Sequence, residues 1–299
     1  MKPRLLGLIL LIFGIAEGLS AEVIRVATYN VQNYLEVDRW VDGRYRPSFP
    51  KPEVEKTALR NILLEVRPDV LVIQEMGTGP YLGELQADLK EQGLDLPYRY
   101  VARGSDEERH VALLSCLEPF EVLTHADLEF EYSGEKTVVK RGMLEAHFKT
   151  GGQEWKVFGL HLKSKWSDYK EDPHSNNRRR SESLACRDRI LKLQKEDGLP
   201  FLILGDLNDT KSTAPIRLLQ SRGKQTVAVA LEAADSRGEK WTHFYKKEDS
   251  YSRIDYILKS PGFPAAAIGG RAHIYDGLDS LKASDHRLVW VDLDWPAEE

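Results

Sequence analysis

The segment Pro200-Phe201-Leu202-Ile203-Leu204-Gly205-Asp206-Leu207-Asn208-Asp209 sets four consecutive apolar residues directly before a run of small, polar turn-formers. In an extended chain successive side chains point to opposite faces, so an unbroken apolar run predicts a strand covered on both sides. Val70-Leu71-Val72-Ile73 repeats the pattern and ends in Gln74-Glu75. A sheet buried on both faces needs further layers, and the flanking sequence supplies helices. Helical periodicity marks 53–66, stopped by Pro68, and 82–92, stopped by Gly93. Residues 181–196 form a third expected helix before Gly198, and 213–221 a short fourth capped by Thr213. Strands are expected at 23–31, 69–74, 110–115, 138–148, 155–162, 200–207, 253–258 and 287–293. The two kinds of element alternate without a linker or repeat, which predicts one α/β domain over 22–299. Residues 36–51 and 163–180 read as long loops, which in compact domains often carry function.

The 299 residues include 42 Lys+Arg and 47 Asp+Glu, a net charge of -5, with 41% hydrophobic and 30% charged residues. That balance excludes disorder and a polytopic membrane protein. A net acidic chain is no general polyanion binder, so any contact with nucleic acid needs a local basic patch. Cys116 and Cys186 are too few for a disulfide scaffold and lack zinc-cluster spacing. At the N-terminus Lys2 and Arg4 precede the apolar run 5–16, which Glu17 ends, with Gly18 and Ala21 beyond. A helix over that run spans about 18 Å, short of a hydrocarbon core of roughly 30 Å. The pattern predicts a secretory signal peptide over 1–21, with an N-terminal core helix as the alternative. A secreted or periplasmic protein follows, in surroundings where Cys116 and Cys186 are free to pair.

Several strands end in hydrogen-bonding or ionisable side chains: Asn30, Glu75, His161, Asp206 with Asn208, and Asp285 with His286, while Asp255 lies inside a strand pattern. In an α/β sheet such ends gather on one rim. Period two puts Asp206 and Asn208 on one face if the segment stays extended. Each also has a structural use: Asp, Asn and Ser close turns, a lone histidine packs in a core, and Glu75 marks where a strand meets water. Asp255 between Ile254 and Tyr256 points into a partly buried place and needs a partner, His286 or Arg253. Asn30, Glu75, Asp206, Asn208 and Asp285 offer hard oxygen donors, which suit Mg2+, Mn2+ or Ca2+. A hard cation with two histidines and several carboxylates suits hydrolysis at phosphorus.

Six motifs now stand in order: Thr-Tyr-Asn-Val (28–31), Val-Ile-Gln-Glu (72–75), Gly-Leu-His-Leu-Lys-Ser (159–164), Gly-Asp-Leu-Asn-Asp (205–209), Arg-Ile-Asp-Tyr-Ile-Leu (253–258) and Ser-Asp-His (284–286). Together they resemble the endonuclease/exonuclease/phosphatase superfamily, the DNase I-like metal-dependent phosphoesterases. The resemblance implies a four-layer α-β-β-α sandwich with two packed mixed β-sheets and a Mg2+-dependent site at one end. By motif it implies Glu75 as principal metal ligand with Asn30 beside it and Asp285 at a second ion position. It implies His161 and His286 on the scissile phosphate, Asp255 pairing with His286, Asp206 orienting or deprotonating the attacking water, and Asn208 holding that water or a phosphate oxygen. Arg141 matches a phosphate-side arginine of DNase-like members. The acid that partners the residue matching His161 in those members has no counterpart near 98–104.

The superfamily spans nucleic acids, lipids, inositol phosphates and nucleotides. Residues 163–180 hold Lys163, Lys165, Lys170, Arg178, Arg179 and Arg180 against Asp168, Glu171 and Asp172, with Trp166 and Tyr169 among them. Cations interleaved with aromatics suit a nucleic-acid backbone, although a solvated charged loop has the same composition. A nuclease is therefore the leading expectation, with Arg141, Lys163, Arg178 and Arg179 on the substrate. A sphingomyelinase-like lipid phosphodiesterase needs an exposed apolar hairpin, for which Tyr34, Trp40, Tyr45 and Phe49 come nearest; a phosphomonoesterase and a non-catalytic binding module are further alternatives. Stable membrane insertion and a protein partner are not implied, and a monomer is expected.

Overall fold

The computed structural model describes residues 22–296, so the expected signal peptide lies outside the described residues. In chain order the elements are β1 (Glu22–Tyr34), β2 (Val37–Val41), β3 (Arg44–Phe49), α1 (Glu53–Val66), β4 (Val70–Met76), α2 (Gly79–Glu91), β5 (Tyr98–Val101), β6 (His110–Ser115), β7 (Glu121–His125), β8 (Glu129–Tyr132), β9 (Glu135–Val138), β10 (Met143–Thr150), β11 (Gln153–His161), α3 (Asn176–Asp197), β12 (Phe201–Asp206) and α4 (Ala214–Gln220). The strands Asp255–Lys259 and Val289–Trp295 complete the two sheets' centres.

One sheet runs Ala233–Ala234, Ala272–Ile274, Val289–Trp295, β1, β4, β6, β5; the other runs Val229–Ala230, Asp255–Lys259, β12, β11, β10, β7. Both are mixed, with β1 parallel to β4 and β11 parallel to β12 among antiparallel neighbours. Alternation along the apolar runs builds the layers. Val26, Val72, Leu202 and Leu204 face inward between the sheets, joined there by Leu144, Val157 and Val289. Their neighbours Ala27, Leu71 and Ile73 face α1 and α2, packing on Leu59, Ile62, Leu63 and Leu85. Phe201 and Ile203 face α3 and α4, against Ile190, Ile216 and Leu219. The result is the expected α/β sandwich, with three apolar layers that each bury side chains worth roughly 1.5–3 kcal/mol apiece. Among the described residues no helix is long and apolar enough to cross a membrane.

Three expectations change, and the state of the two cysteines is settled. The 36–51 stretch is the hairpin β2–β3, not a loop, because Asp42 (φ 52°) and Gly43 (φ 72°) close it with the left-handed pair that suits strand twist. The expected strand 138–148 is broken into β9 and β10, and Arg141 sits in the break. There Gly142 adopts φ 66°, and a side chain on it would strike the Arg103 carbonyl. Helix α3 begins at Asn176 rather than 181, since the Asp172 carboxylate accepts from the Asn177 and Arg178 N–H groups and satisfies the first turn. Cys116 is exposed and Cys186 buried in α3, and both are free thiols.

Candidate active site

The parallel pairs β1–β4 and β11–β12 end side by side, and their C-terminal ends carry the polar residues. Asn30 and Gln74 are paired positions, as are His161 and Asp206, and Asp206 lies opposite Asp255 at the start of its antiparallel strand. The backbone is strained where the chain leaves these strands. Gln32, Asn33, Glu75 and Asn208 all adopt positive φ, at 48°, 56°, 59° and 53°. Such conformations disfavour side chains by roughly 1–3 kcal/mol and persist where surroundings dictate them. Gly205 has φ 146°, and a Cβ on it would sit 1.9 Å from the Leu160 carbonyl oxygen, so the glycine that opens Gly-Asp-Leu-Asn-Asp is a packing requirement.

Asp206 is the hub. Its Oδ2 accepts from Asn30 Nδ2 and Asn208 Nδ2, both at 3.0 Å, and its Oδ1 accepts from the Asn208 backbone N–H at 2.8 Å. Asn208 also donates to the Leu162 carbonyl, which ties the turn to the end of β11. Two imidazoles flank the same carboxylate, His161 Nε2 at 3.6 Å and His286 Nε2 at 3.8 Å. Burial pushes the Asp206 carboxyl up to about 7; the nearby Asp255 charge adds to this and His286 opposes it.

The two histidines differ in charge. Burial and the Arg141 charge hold His161 well below the ordinary imidazole range, so it is neutral. Burial works against charge on His286 as well, but Asp255 and Asp206 outweigh it and hold its pKa well above the ordinary range. His286 Nδ1 lies 2.9 Å from Asp255 Oδ2, which turns Nε2–H toward Asp206. Of the two partners expected for Asp255, His286 takes the role. Arg253 instead donates to the Leu231 carbonyl and lies over the Tyr256 ring. Thr242 Oγ1 accepts from the Asp255 N–H and fixes that strand end.

The expected metal donors lie at the same end of the sandwich, on the side of the β1–β4 sheet. Asn30 Nδ2 donates to Glu75 Oε1 at 3.2 Å, and Glu75 Oε2 accepts from the Asn33 N–H. Asp285 is anchored by its N–H to Gln32 Oε1, and Ser284 Oγ donates to the Asn30 carbonyl. Burial and the Glu75 charge raise the Asp285 carboxyl, while His286 opposes the rise. By donor chemistry Glu75 and Asp285, with the Asn30 amide turned to offer its oxygen, would suit a hard divalent cation; here Asn30 presents its Nδ2 to Glu75 and its Oδ1 accepts from the Gln32 N–H. The tighter groups, Asp206–Asp255–His286 and His243–Asp285–His286, include His286, whose Nδ1 is already bound to Asp255.

The four expected substrate residues separate. Arg141 is buried beside the site, its Nε 3.1 Å from Asp106 Oδ2 and its Nη1 without a hydrogen-bond partner. His161 Nδ1 is likewise buried without a partner, which agrees with the absence of an acid near 98–104. Lys163 and Arg178 line a cleft next to His161. Arg179 does not face a ligand: it is fully buried, its Nε pairs with Asp209 Oδ2 at 2.9 Å, and its Nη atoms donate to Lys163, His174 and Asn176. The earlier start of α3 turns it inward.

Sequence reading missed Asp106, the acid beside Arg141, and His243. The His243 ring lies 4.6 Å from that of His286, and burial together with the His286 charge pushes its pKa down to about 4. The short hairpin His243–Tyr245/Ser250–Ser252 brings it there, and its three-residue arms are too short to carry a strand signal.

A family model for the endonuclease/exonuclease/phosphatase family matches residues 27–286, from the first motif to the last. No curated protein sequence matches the chain significantly. Solved structures share the fold. A family protein from Bacteroides vulgatus is 16% identical with TM-score 0.64, covering 92% of this chain and 100% of its own. A mannosyl-6-phosphatase of Bacteroides thetaiotaomicron is 19% identical with TM-score 0.62, covering 91% and 100%. The catalytic domain of human nocturnin with a bound sulfate is 14% identical with TM-score 0.61, covering 92% and 98%. The match over 27–286 and the convergence of all six motifs at one end of the two sheets lead to one conclusion: the chain belongs to the endonuclease/exonuclease/phosphatase family, hydrolases of phosphoester bonds.

Proposed function

We propose that the protein is an exported, Mg2+-dependent phosphodiesterase that cleaves nucleic acid. The observation that carries the chemistry is the Asp206 carboxylate, buried between a neutral and a protonated imidazole, with burial pushing its pKa up to about 7. A group whose pKa lies near working pH is an efficient proton acceptor. Asp206 takes a proton from water as the water oxygen bonds to phosphorus and the ester P–O bond breaks, and the departing oxygen takes up a proton from solvent. Asn208 and Asn30 keep Asp206 in place, His286 Nε2–H and the Arg141 guanidinium meet the charge that builds on the phosphoryl oxygens, and Asp255 keeps His286 protonated. A cation on Glu75, Asn30 and Asp285, when bound, adds Lewis-acid stabilisation of that same charge.

The nucleic-acid assignment rests on the cationic, aromatic surface after His161, and export on the N-terminal pattern Lys2–Arg4 and 5–16. Incubation of the protein with plasmid DNA, RNA and bis-p-nitrophenyl phosphate, with Mg2+ or EDTA, tests both metal and substrate. Metal-dependent plasmid cleavage that disappears in Asp206→Ala is the expected result; turnover of the small diester alone removes the nuclease reading. The N-terminal residue of protein recovered from the culture medium or periplasm, expected near position 22, tests export.

One observation favours a second reading. The hairpin β2–β3 holds Trp40 at 74% and Tyr45 at 55% exposure, with Arg44 and Arg46 exposed beside them, whereas Tyr34 is buried. That is the docking apparatus a lipid phosphodiesterase needs. Binding of the chain to anionic vesicles, lost in Trp40→Ala, would move the substrate from nucleic acid to lipid.

A further inference from the structure

Beside the catalytic centre, between the first turn of α3, the end of β8 and the segment 163–175, lies a cleft of about 160 Å³ lined by Tyr132, Lys140, Lys163, Trp166, Tyr169 and Arg178. Two neighbours tie it to the reaction. Lys163 is two residues past His161, roughly 7 Å along an extended chain. Lys140 precedes Arg141, and both approach the Asp106 carboxylate, Lys140 at 3.8 Å.

The walls are prepared. Tyr132 and Tyr169 meet edge to face at 5.3 Å, and the Arg178 guanidinium lies over the Tyr132 ring at 5.5 Å. Tyr132 Oη donates to Asp172, the carboxylate that also caps α3, so the ring is fixed to the helix start. Lys163 Nζ donates to the Ser164 and Trp166 carbonyls and lies 5.5 Å from the Trp166 ring. That ammonium holds the segment, while Trp166 (69% exposed) and Tyr169 (44%) stay open to solvent. The cations crowd one another: burial and then the Arg141 and Lys140 charges press the Lys163 ammonium down to about 8, with Glu182 opposing. An anion entering among them relieves that repulsion.

Three cations outnumber the one acid of the lining, Asp168, and with the exposed rings of Trp166 and Tyr169 they select a ligand that is both anionic and flat. The volume is below the roughly 300–1,000 Å³ that encloses a whole small-molecule ligand, so the cleft takes one end of a larger substrate. We propose that this cleft is a second subsite, in which the nucleotide adjoining the scissile phosphate stacks its base on Trp166 and Tyr169 and sets its own phosphate among Lys140, Lys163 and Arg178. The assignment rests on the nucleic-acid reading above and extends it: the reaction is expected to favour a substrate at least one nucleotide longer than the reacting diester.

Calorimetric titration of the full chain in EDTA with AMP, ribose 5-phosphate and inorganic phosphate tests it without turnover. Base stacking makes AMP bind on the order of ten-fold more tightly than ribose 5-phosphate, and Trp166→Ala closes that gap. Equal binding of the two by the wild type overturns the proposal, as does a gap that survives in Trp166→Ala. The exposed position of Trp166 keeps this variant folded, and a thermal melt superimposing on the wild type verifies it. In turnover, the ratio of kcat/KM for a dinucleotide to that for bis-p-nitrophenyl phosphate falls by roughly ten-fold in Trp166→Ala; an unchanged ratio overturns the subsite. Plasmid left uncut by a protein that still prefers AMP through Trp166 removes the nuclease reading and keeps the subsite. Plasmid cut by a protein indifferent to the base does the reverse.

Discussion

Asp206, His286 and Asp255 form a chain in which each member sets the state of the next. Asp255 accepts from His286 Nδ1 at 2.9 Å, and the imidazolium faces Asp206, which burial keeps near neutrality. An Asp255→Asn substitution keeps the shape but removes the charge that holds the proton on His286. We expect kcat to fall about 100- to 10,000-fold, the range for loss of a positioned acid–base group, with KM little changed. Steady-state kinetics on bis-p-nitrophenyl phosphate checks this, and a rise in KM at constant kcat would assign Asp255 to binding instead. The bland uses weighed for these residues also hold in part. Asn208 does close a turn and Ser284 does accept from the His286 N–H, so the turn chemistry and the site chemistry are done by the same side chains.

Helix α3 shows how a boundary five residues off changes a functional assignment. With its first turn at Asn176, Arg179 points inward and neutralises Asp209 in the turn that follows β12. Arg179→Ala leaves Asp209 nearly buried and unpaired, which costs about 3–5 kcal/mol. Urea unfolding is expected to show that loss, while the salt dependence of cleavage keeps its slope; the opposite pair of results would return Arg179 to the substrate. The outer face of the β7–β10–β11 strands carries another buried network. Glu145 accepts from His125 at 2.6 Å and His147 at 2.8 Å and lies 3.1 Å from Lys156 Nζ. Burial alone raises a carboxyl, but these partners win and hold Glu145 below its ordinary range. A depressed folded pKa contributes stability above the unfolded value, about 4, and loses it as pH falls further. The unfolding free energy is therefore expected to drop below about pH 4, with a flatter slope in Glu145→Gln, as chemical denaturation at several pH values will show.

At the scale of the whole molecule the site is a seam. Asn30 and Glu75, with Asp285 and His286 just before the strand Val289–Trp295, belong to one sheet, and His161, Asp206 and Asp255 to the other. Asn30 to Asp206 and His286 to Asp255 are hydrogen bonds across the sandwich. The sheets approach closely between them, where a side chain on Gly159 would lie 2.8 Å from Val72. A cation held by Asn30, Glu75 and Asp285 would bind the assembled seam and not the unfolded chain, and would stabilise by linkage, about 2.7 kcal/mol at 100 times its Kd. Melting temperature is expected to rise with Mg2+ or Mn2+, fall back with EDTA, and stop responding in Glu75→Ala. An unchanged response in that variant would place the cation elsewhere.

The apolar runs at 70–73 and 201–204 were enough to specify doubly covered strands, because side-chain alternation is a property of the extended backbone and needs no partner. The order of the six motifs identified the family for the same local reason, each being a short stretch at or within one end of a strand. Other features depended on distance in the chain. Whether Asp255 would choose His286 or Arg253, what would stand beside Arg141, and which of Arg178 and Arg179 would face outward depend on residues 30 or more positions apart and on where a helix starts. His243 reached His286 only through strand pairing, and the charge states of His161 and His286 diverged only once burial and neighbouring charges acted on each. Local patterns carry backbone preference. Partner choice, burial and charge state are collective, and they exist only in the folded chain.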